Sequence, residues 1–220
     1  EPLQHEGGVC LPENGYLKGV NKLCADYGAL FILDEIKTGL GKTGSWFACQ
    51  AEGVVPDILI LGKALGGGFM PAGAVVAKKS LWRKFGFSFP MSASSYAGNS
   101  LVCSVANEVL GILEEDDLVG QAATKGRDLL EGIREISREY GELIRSVQGA
   151  GLLIGVELKK PGLAMALVKE MIKAQVLVLP AFGNSAVVMI EPPLVISDKE
   201  IERVVEVFGR ACGVVVGCRL

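Results

Sequence analysis

The sequence of 220 residues contains a single histidine, His5, and this scarcity narrows the chemistry open to the protein. A metal site built on imidazoles or a Ser-His-Asp triad is close to excluded. None of the six cysteines forms a Cys-x-x-Cys pair. We therefore expect reduced core thiols rather than a metal site or disulfides. Any catalysis must then rest on lysine, carboxylates and a cofactor.

The chain also lacks a strong charge of either sign and a long apolar run. Its formal net charge is -3, which gives no reason to expect nucleic acid or an anionic membrane as a partner. No apolar stretch approaches the roughly 18 residues of a spanning helix. The first residues have neither the basic start nor the apolar core of a signal peptide. We expect a cytoplasmic protein.

Two hydrophobic runs end in polar residues, and these ends are the most informative positions of the sequence. The run from Ala29 to Leu33 ends in Asp34, and the run from Ile58 to Leu61 is followed by Gly62 and Lys63. Such runs predict central strands of a parallel sheet, and ligands bind at the carboxyl ends of these strands. A lysine and a carboxylate there suit a Schiff base to pyridoxal phosphate, with the acid holding the pyridine nitrogen protonated.

Hydrophobic periodicity predicts an α/β protein with two parts. The first part carries a helix, the two strands above and a third strand. From Asn99 the pattern predicts two long helices and then a small α/β unit, in which Ser197 and Glu200 form a capping box at the start of the last helix. We place the boundary inside the connecting helix, which gives residues 1–105 and 106–220. The predicted elements are helices at 16–26, 99–113, 118–140, 163–174 and from 197, and strands at 29–33, 58–61, 72–77, 143–147, 152–158, 176–179 and 186–190, with an irregular connection over 80–91.

Several motifs, in order, resemble those of the class III pyridoxal-phosphate aminotransferases, the ornithine, acetylornithine and putrescine group. The match covers essentially the whole chain. The resemblance implies a fold-type I α/β protein, with the later strands of the large cofactor domain followed by a small C-terminal domain. The segments that carry it are Glu-Pro-Leu-Gln-His-Glu-Gly-Gly at 1–8, Asp-Glu-Ile-Lys-Thr-Gly at 34–39, Gly-Lys-Thr-Gly at 41–44, Gly-Lys-Ala-Leu-Gly-Gly-Gly at 62–68, Ser-Ser-Tyr-Ala-Gly-Asn at 94–99 and Glu-Pro-Pro-Leu at 191–194.

The resemblance implies a role for five residues at the cofactor. Lys63 would be the Schiff-base lysine and the base that moves the substrate proton, and Asp34 would pair with the pyridine nitrogen. Ile36 would pack on the ring, although core packing alone also explains it. Lys37 stands where the family has a glutamine that contacts the ring hydroxyl. Ser95 would bind the cofactor phosphate of the neighbouring subunit, but could equally be a turn residue.

Other differences from the family motifs concern residues that are expected near the substrate. His5 replaces a glycine, and Lys42 replaces an arginine whose bidentate contact a lysine cannot reproduce. Met189 stands where many members carry the arginine that grips the substrate α-carboxylate. Glu6 corresponds to the glutamate that covers that arginine, so we expect Glu6, as a buried carboxylate, to seek another cation. A diamine could supply it, and so could Lys37 or His5.

The resemblance thus predicts amino transfer from an ω-amine or diamine to a 2-oxo acid, in a homodimer. The phosphate-binding loop of the family precedes the Glu-Pro motif, and we expect the chain to be the C-terminal part of a longer enzyme. Two alternatives remain open. The chain could be a catalytically incomplete fragment or paralogue that only dimerises, or a decarboxylase or aminomutase that uses the same cofactor.

Overall fold

The computed structural model describes residues 1–84 and 94–217, which form six α-helices and two β-sheets within those ranges. Helices and sheets of both parts are present, as the sequence predicts. The helices are α1 (Tyr16–Asp26), α2 (Lys79–Lys84), α3 (Ser100–Glu115), α4 (Leu118–Glu139), α5 (Pro161–Lys173) and α6 (Asp198–Gly217). The strands are β1 (Ile32–Asp34), β2 (Ile58–Leu61), β3 (Ala74–Ala77), β4 (Ile144–Ala150), β5 (Leu153–Leu158), β6 (Leu179–Pro180) and β7 (Val187–Ile190).

The first sheet has the order β1-β2-β3. Strands β1 and β2 are parallel, as predicted, whereas β3 runs antiparallel to β2. Leu33, Leu59 and Leu61 are buried against one layer of helices and loops, but Ile32 on the opposite face is 51% exposed. Only one face of this sheet is therefore covered by the described residues.

The second sheet has the order β4-β5-β7-β6 and is antiparallel throughout. Its core is closed by α4, α5 and α6, whose apolar sides meet Ile154, Val156 and Val188. Strand β6 is shorter than predicted. The amide of Val176 donates to the carbonyl of Met171, so residues 176–178 complete the turn after α5 before the strand begins.

At two helix starts, the prediction from neighbouring residues in the sequence can be compared directly with the structure. The side chains of Ser197 and Glu200 form the predicted capping box, in which Glu200 Oε2 accepts from the Ser197 amide at 2.7 Å and Glu200 N donates to Ser197 Oγ at 3.4 Å. The irregular connection predicted over 80–91 is partly wrong, because α2 occupies its first residues. Residues 85–91 of that connection lie outside the described residues.

The N-terminal segment packs on the second sheet rather than on the first. Leu3 and Val9 share a small apolar cluster with Met189. The N-terminal segment and β5 approach so closely that a Cβ on Gly155 would lie 2.3 Å from the carbonyl oxygen of Gly8. A glycine on β5 is therefore required for this contact, which brings the residues just before Gly8 to the end of β7.

The two parts meet along α3. The side of this helix that carries Ala106, Val109, Leu110 and Leu113 packs against the core of the first sheet. The boundary at residue 105 stays a prediction.

Candidate active site

Asp34 and Lys63 follow neighbouring parallel strands. Asp34 ends β1 and pairs in register with Ile60 of β2, and Lys63 comes three residues later. The Asp34 carboxylate accepts a hydrogen bond of 2.9 Å from the amide of Ile36, which fixes the turn at the strand end. Both residues thus lie at the carboxyl edge of the same strand pair, where open α/β sheets bind ligands.

The backbone of Lys63 is in the left-handed region, with φ of +47°. This conformation is uncommon for a residue with a side chain and costs on the order of 1–3 kcal/mol. Lys63 begins the 3₁₀ helix Lys63–Gly66 directly after Gly62, and its side chain is exposed. Such strain concentrates at functional sites, so the conformation supports a role for Lys63 beyond closing the strand.

A cavity of 210 Å³ opens at these strand ends. Gly62 allows Ile36 to lie close, since a Cβ on this glycine would be 3.3 Å from Ile36 Cγ2. Asp34 is not among the described residues that line the cavity. The lining residues come from the loops after β1 and β2 and from the turn after β7, and they are Ile36, Lys37, Gly39, Leu40, Lys42, Lys63, Ala64, Pro193 and Leu194.

A larger depression of 420 Å³ lies between α4 and β4. It is lined by Arg134, Arg138, Arg145 and Lys159, whose side chains are exposed. The depression contains none of the strand-end residues. We therefore assign the candidate active site to the smaller cavity, which contains Lys63.

Glu35, the neighbour of Asp34, is a buried structural residue. It is 1% exposed, and its carboxylate accepts hydrogen bonds of 2.8 Å from the amides of Ala48 and Cys49 and from the hydroxyl of Thr38. These bonds anchor the glycine-rich loop that carries Lys42. Burial, followed by the charge of Glu35 and its hydrogen bond, raises the pKa of Cys49 to about 12, so this thiol stays protonated.

Glu191 lies at the centre of a polar cluster that the sequence did not predict. Its Oε2 accepts a hydrogen bond of 2.5 Å from the ammonium of Lys37, and its Oε1 contacts Nε2 of His5. Nδ1 of His5 in turn lies 3.2 Å from Oε1 of Glu6. The cluster joins the N-terminal segment, the loop after β1 and the end of β7. In the sequence, Glu191 was noted only as part of the Glu-Pro-Pro-Leu motif. The signal that could have identified it is its position two residues after Met189, directly after the end of β7.

Charges within the cluster set the protonation of two groups. Burial alone would raise the pKa of Glu191, but the hydrogen bonds and charges of Lys37 and His5 outweigh burial and hold that pKa below its usual value. Burial lowers the pKa of Lys42 to about 8; Glu191 opposes the shift and Lys37 adds to it. The ammonium of Lys42 donates to the carbonyl oxygen of Pro192 at 2.5 Å.

The structure separates the predicted substrate residues. Met189 is 4% exposed and packs in the apolar cluster with Leu3 and Val9. The expectation that Glu6 is a buried carboxylate is wrong, because its side chain is 53% exposed at the edge of the N-terminal turn. Of the two cations considered for it, His5 contacts Glu6, whereas Lys37 binds Glu191 instead.

Ser95 lies in an exposed turn before α3 and does not line the cavity within the described part of this chain. The turn ends at Asn99, whose side chain caps α3 by accepting from the amides of Leu101 and Val102. The proposed contact of Ser95 with a phosphate of the other subunit stays a prediction.

Two further features of the described residues bear on the class of protein. Residues 1–84 and 94–217 contain no group of three or more histidine, cysteine or acidic side chains arranged to hold a metal ion. No helix in the same ranges combines the length and apolar character needed to cross a membrane.

Comparison with known proteins identifies the family of this fold and site. The sequence profile of the class-III aminotransferases matches residues 1–212, and the chain belongs to this family. The strands, the helices and the order of elements agree with the fold-type I architecture that the motifs imply.

Solved structures of the family superpose closely on this chain. Ornithine aminotransferase from Toxoplasma gondii is 33% identical, with a TM-score of 0.92, over 99% of this chain and 51% of its own. Acetylornithine aminotransferase from Elizabethkingia anophelis is 34% identical, with a TM-score of 0.88, over 96% and 54%. Ornithine aminotransferase from Plasmodium yoelii is 30% identical, with a TM-score of 0.90, over 97% and 56%. The chain thus spans about half the length of the structures it matches.

Proposed function

We propose that this chain carries the catalytic lysine of a pyridoxal-phosphate-dependent aminotransferase that moves an amino group from an ω-amine or diamine to a 2-oxo acid. The observation that carries the proposal is the strained strand-end conformation of Lys63, at a cavity beside the strand that ends in Asp34. Membership of the class-III family supports it.

The residues at the strand ends fit the cofactor. An aliphatic side chain, Ile36, and a lysine, Lys63, line one cavity, and a carboxylate, Asp34, ends the adjacent strand. When bound, pyridoxal phosphate supplies an electron sink that stabilises negative charge on the substrate carbon after proton loss. The structure of the Toxoplasma gondii relative has partial occupancy of this cofactor at its active site.

Each residue has a separate task in this proposal. The amine of Lys63 would hold the cofactor covalently and would move the proton at the substrate carbon. The carboxylate of Asp34 would keep the pyridine nitrogen protonated, and Ile36 would pack on the ring. The ammonium of Lys37 has three donors, of which one is bonded to Glu191, so donors remain that would contact the ring hydroxyl.

Replacement of Lys63 tests the catalytic assignment. We expect Lys63→Ala to abolish turnover in the holoenzyme and to remove the visible absorbance band that borohydride reduction also removes. The fold should persist, because Lys63 is exposed and contributes little to packing. Lys18→Ala on α1 is the matched control, since Lys18 is an exposed lysine outside the cavity. Transamination at the wild-type rate by the Lys63 variant would remove the central claim.

We propose an amine donor without an α-carboxylate, such as putrescine or a related ω-amine, over ornithine or acetylornithine. The buried, apolar Met189 cannot bind a carboxylate, and the exposed Glu6 is available to the distal ammonium of a diamine. A charge-matched contact is worth about 1.5–3 kcal/mol, so its absence lowers kcat/KM for ornithine roughly tenfold or more relative to putrescine.

The ratio of kcat/KM for putrescine and ornithine decides between the donors. Glu6→Gln should lower kcat/KM for putrescine and leave a monoamine substrate unaffected. A clear preference of the wild-type enzyme for ornithine or acetylornithine would contradict the donor assignment without touching the assignment of Lys63. Product analysis with 2-oxoglutarate separates transamination from decarboxylation or aminomutase activity.

We also propose a cytoplasmic homodimer in which Ser95 binds the cofactor phosphate of the other subunit. The turn that carries Ser95 is exposed in this chain, and its neighbour Tyr96 is 81% exposed. Of the five described cysteines, Cys49 and Cys212 are buried as the sequence predicts, whereas Cys103 is exposed and is not a core thiol. Sedimentation that shows a fully active monomer would overturn the dimer, and Ser95→Ala should weaken cofactor binding.

A further inference from the structure

We propose that Lys42 binds the carboxylate of the 2-oxo acid that accepts the amino group. This inference rests on the proposed transamination and extends it, because it names the residue that recognises the second substrate. It concerns the acceptor alone and is independent of which amine is the donor.

Binding of the carboxylate of a 2-oxo acid requires a cation. Position 189, where many family members carry an arginine, does not supply one in this chain. A 2-oxo acid carries a carboxylate next to its reacting carbonyl, and a carboxylate that loses water in a cavity is costly unless a cation pairs with it. Met189 is buried among Leu3 and Val9 and offers no charge. A cation must therefore come from another part of the site.

Three lysines line the cavity, and two of them already have a task. Lys63 is the residue assigned to the cofactor. The ammonium of Lys37 is bound to the carboxylate of Glu191 at 2.5 Å, which neutralises its charge. Lys42 is the third, and the loop anchored by the buried Glu35 holds it in place.

The ammonium of Lys42 is suited to receive an anion. Among the described residues its hydrogen bond goes to the neutral carbonyl of Pro192, and it forms no ion pair within 4.0 Å. An ammonium has three donors, so two remain for a ligand. Glu191, the acidic group whose charge acts on Lys42, has both carboxylate oxygens engaged by Lys37 and His5. Among the residues that the structure describes, Lys42 is therefore a half-buried cation of the cavity without a counterion.

The protonation of Lys42 agrees with this role. Burial lowers its pKa to about 8, the charge of Lys37 acts in the same direction, and Glu191 opposes both. A bound carboxylate would favour the charged form and raise the pKa again. The affinity for the acceptor should therefore fall as the pH rises above about 8, which follows from the loss of the proton on Lys42.

Half-reactions of the holoenzyme test the assignment. The amine half-reaction and the 2-oxo acid half-reaction are followed separately by the absorbance of the cofactor. We expect Lys42→Gln to raise the half-saturating concentration of 2-oxoglutarate tenfold or more and to change that of putrescine less than twofold. Lys18→Gln is the control, because it removes an exposed lysine that does not line the cavity.

Binding of glutarate, a dicarboxylate that cannot react, gives a readout independent of turnover. Calorimetry with the wild-type protein should show an affinity that decreases above pH 8, whereas Lys42→Gln should bind weakly at every pH. Equal glutarate affinity and equal 2-oxoglutarate saturation in wild type and Lys42→Gln would overturn the role of Lys42 while the amine half-reaction persists. Absence of any amine half-reaction in the wild-type enzyme would instead contradict the proposed function itself.

Discussion

The two sheets of this chain differ in how many of their faces are buried. In the second sheet, Leu153 and Ile154 point to opposite faces of β5 and both are fully buried. In the first sheet, Leu33 is buried whereas Ile32 on the opposite face is 51% exposed, and Val75 of β3, on the same face as Ile32, is 54% exposed. The second sheet is thus enclosed by residues of this chain, and the first is enclosed on one side by the described residues.

The two sheets therefore have different roles: the first carries the residues assigned to the cofactor, and the second carries the more completely buried core. The residues assigned to the cofactor, Asp34 and Lys63, extend from the half-covered sheet, whereas Glu191 and the apolar Met189 belong to the enclosed one. The enclosed sheet holds the N-terminal segment and the end of β7 in place, and thereby fixes the far wall of the cavity. We expect substitutions in the enclosed core to destabilise the fold most.

The largest effect should follow from Phe208→Ala. Phe208 on α6 is fully buried in the core of the second sheet, and its removal leaves a cavity. We expect a loss of about 3–5 kcal/mol in the free energy of unfolding, measured by denaturant titration. Phe69→Ala is the control, because Phe69 in the first part is 78% exposed, and it should change stability by less than about 0.5 kcal/mol. Similar losses in both variants would refute the contrast between the two regions.

Glu35→Gln tests the one strongly buried carboxylate of the first part. The amide cannot accept the backbone donors of Ala48 and Cys49 on both of its terminal atoms, so one of these contacts is lost. We expect destabilisation of about 1.5–3 kcal/mol. Glu115→Gln at the exposed end of α3 should be neutral. If the Glu35 variant unfolds at the wild-type denaturant concentration, the anchoring role of this carboxylate is wrong.

A matched pair of valine substitutions compares the two sheets directly. Val188→Thr places a hydroxyl in a fully buried position of β7 and should cost about 1–3 kcal/mol. Val75→Thr makes the same change at a half-exposed position on the open face of β3 and should cost less than about 0.5 kcal/mol. A large loss for Val75→Thr would show that the open face of the first sheet is covered in solution.

A further expected effect is a dependence of stability on pH that originates at Lys42. The pKa of Lys42 is about 8 in the folded chain and 10.5 in the reference state, so between these values the unfolded chain binds more protons. The free energy of unfolding should therefore gain a contribution that rises with pH from about 8 to 10.5. Wild type should become more stable relative to Lys42→Met over this range. Lys18→Met, at an exposed lysine, should run parallel to wild type, and a parallel profile for Lys42→Met would contradict the shift.

Local patterns in the sequence were sufficient to predict most elements. The limits of α1 and β2 agree with the prediction, because amphipathic period and apolar runs are properties of adjacent residues. The capping box at Ser197 and Glu200 is equally local. The exposure of Ile32 was not predictable, since an apolar run indicates a strand but does not specify whether a second layer covers it.

The sequence by itself was sufficient to identify the family. It was also sufficient to predict the order of the two strands that lead to Asp34 and Lys63, and to show that position 189 is apolar. The tertiary structure alone decided the pairing of charges, because His5, Lys37 and Glu191 are far apart in the chain. His5 reaches Glu191 because Gly8 and Gly155 permit close contact of the N-terminal segment with the second sheet. Glu191 is engaged by Lys37 and His5, and Lys42 forms no ion pair among the described residues.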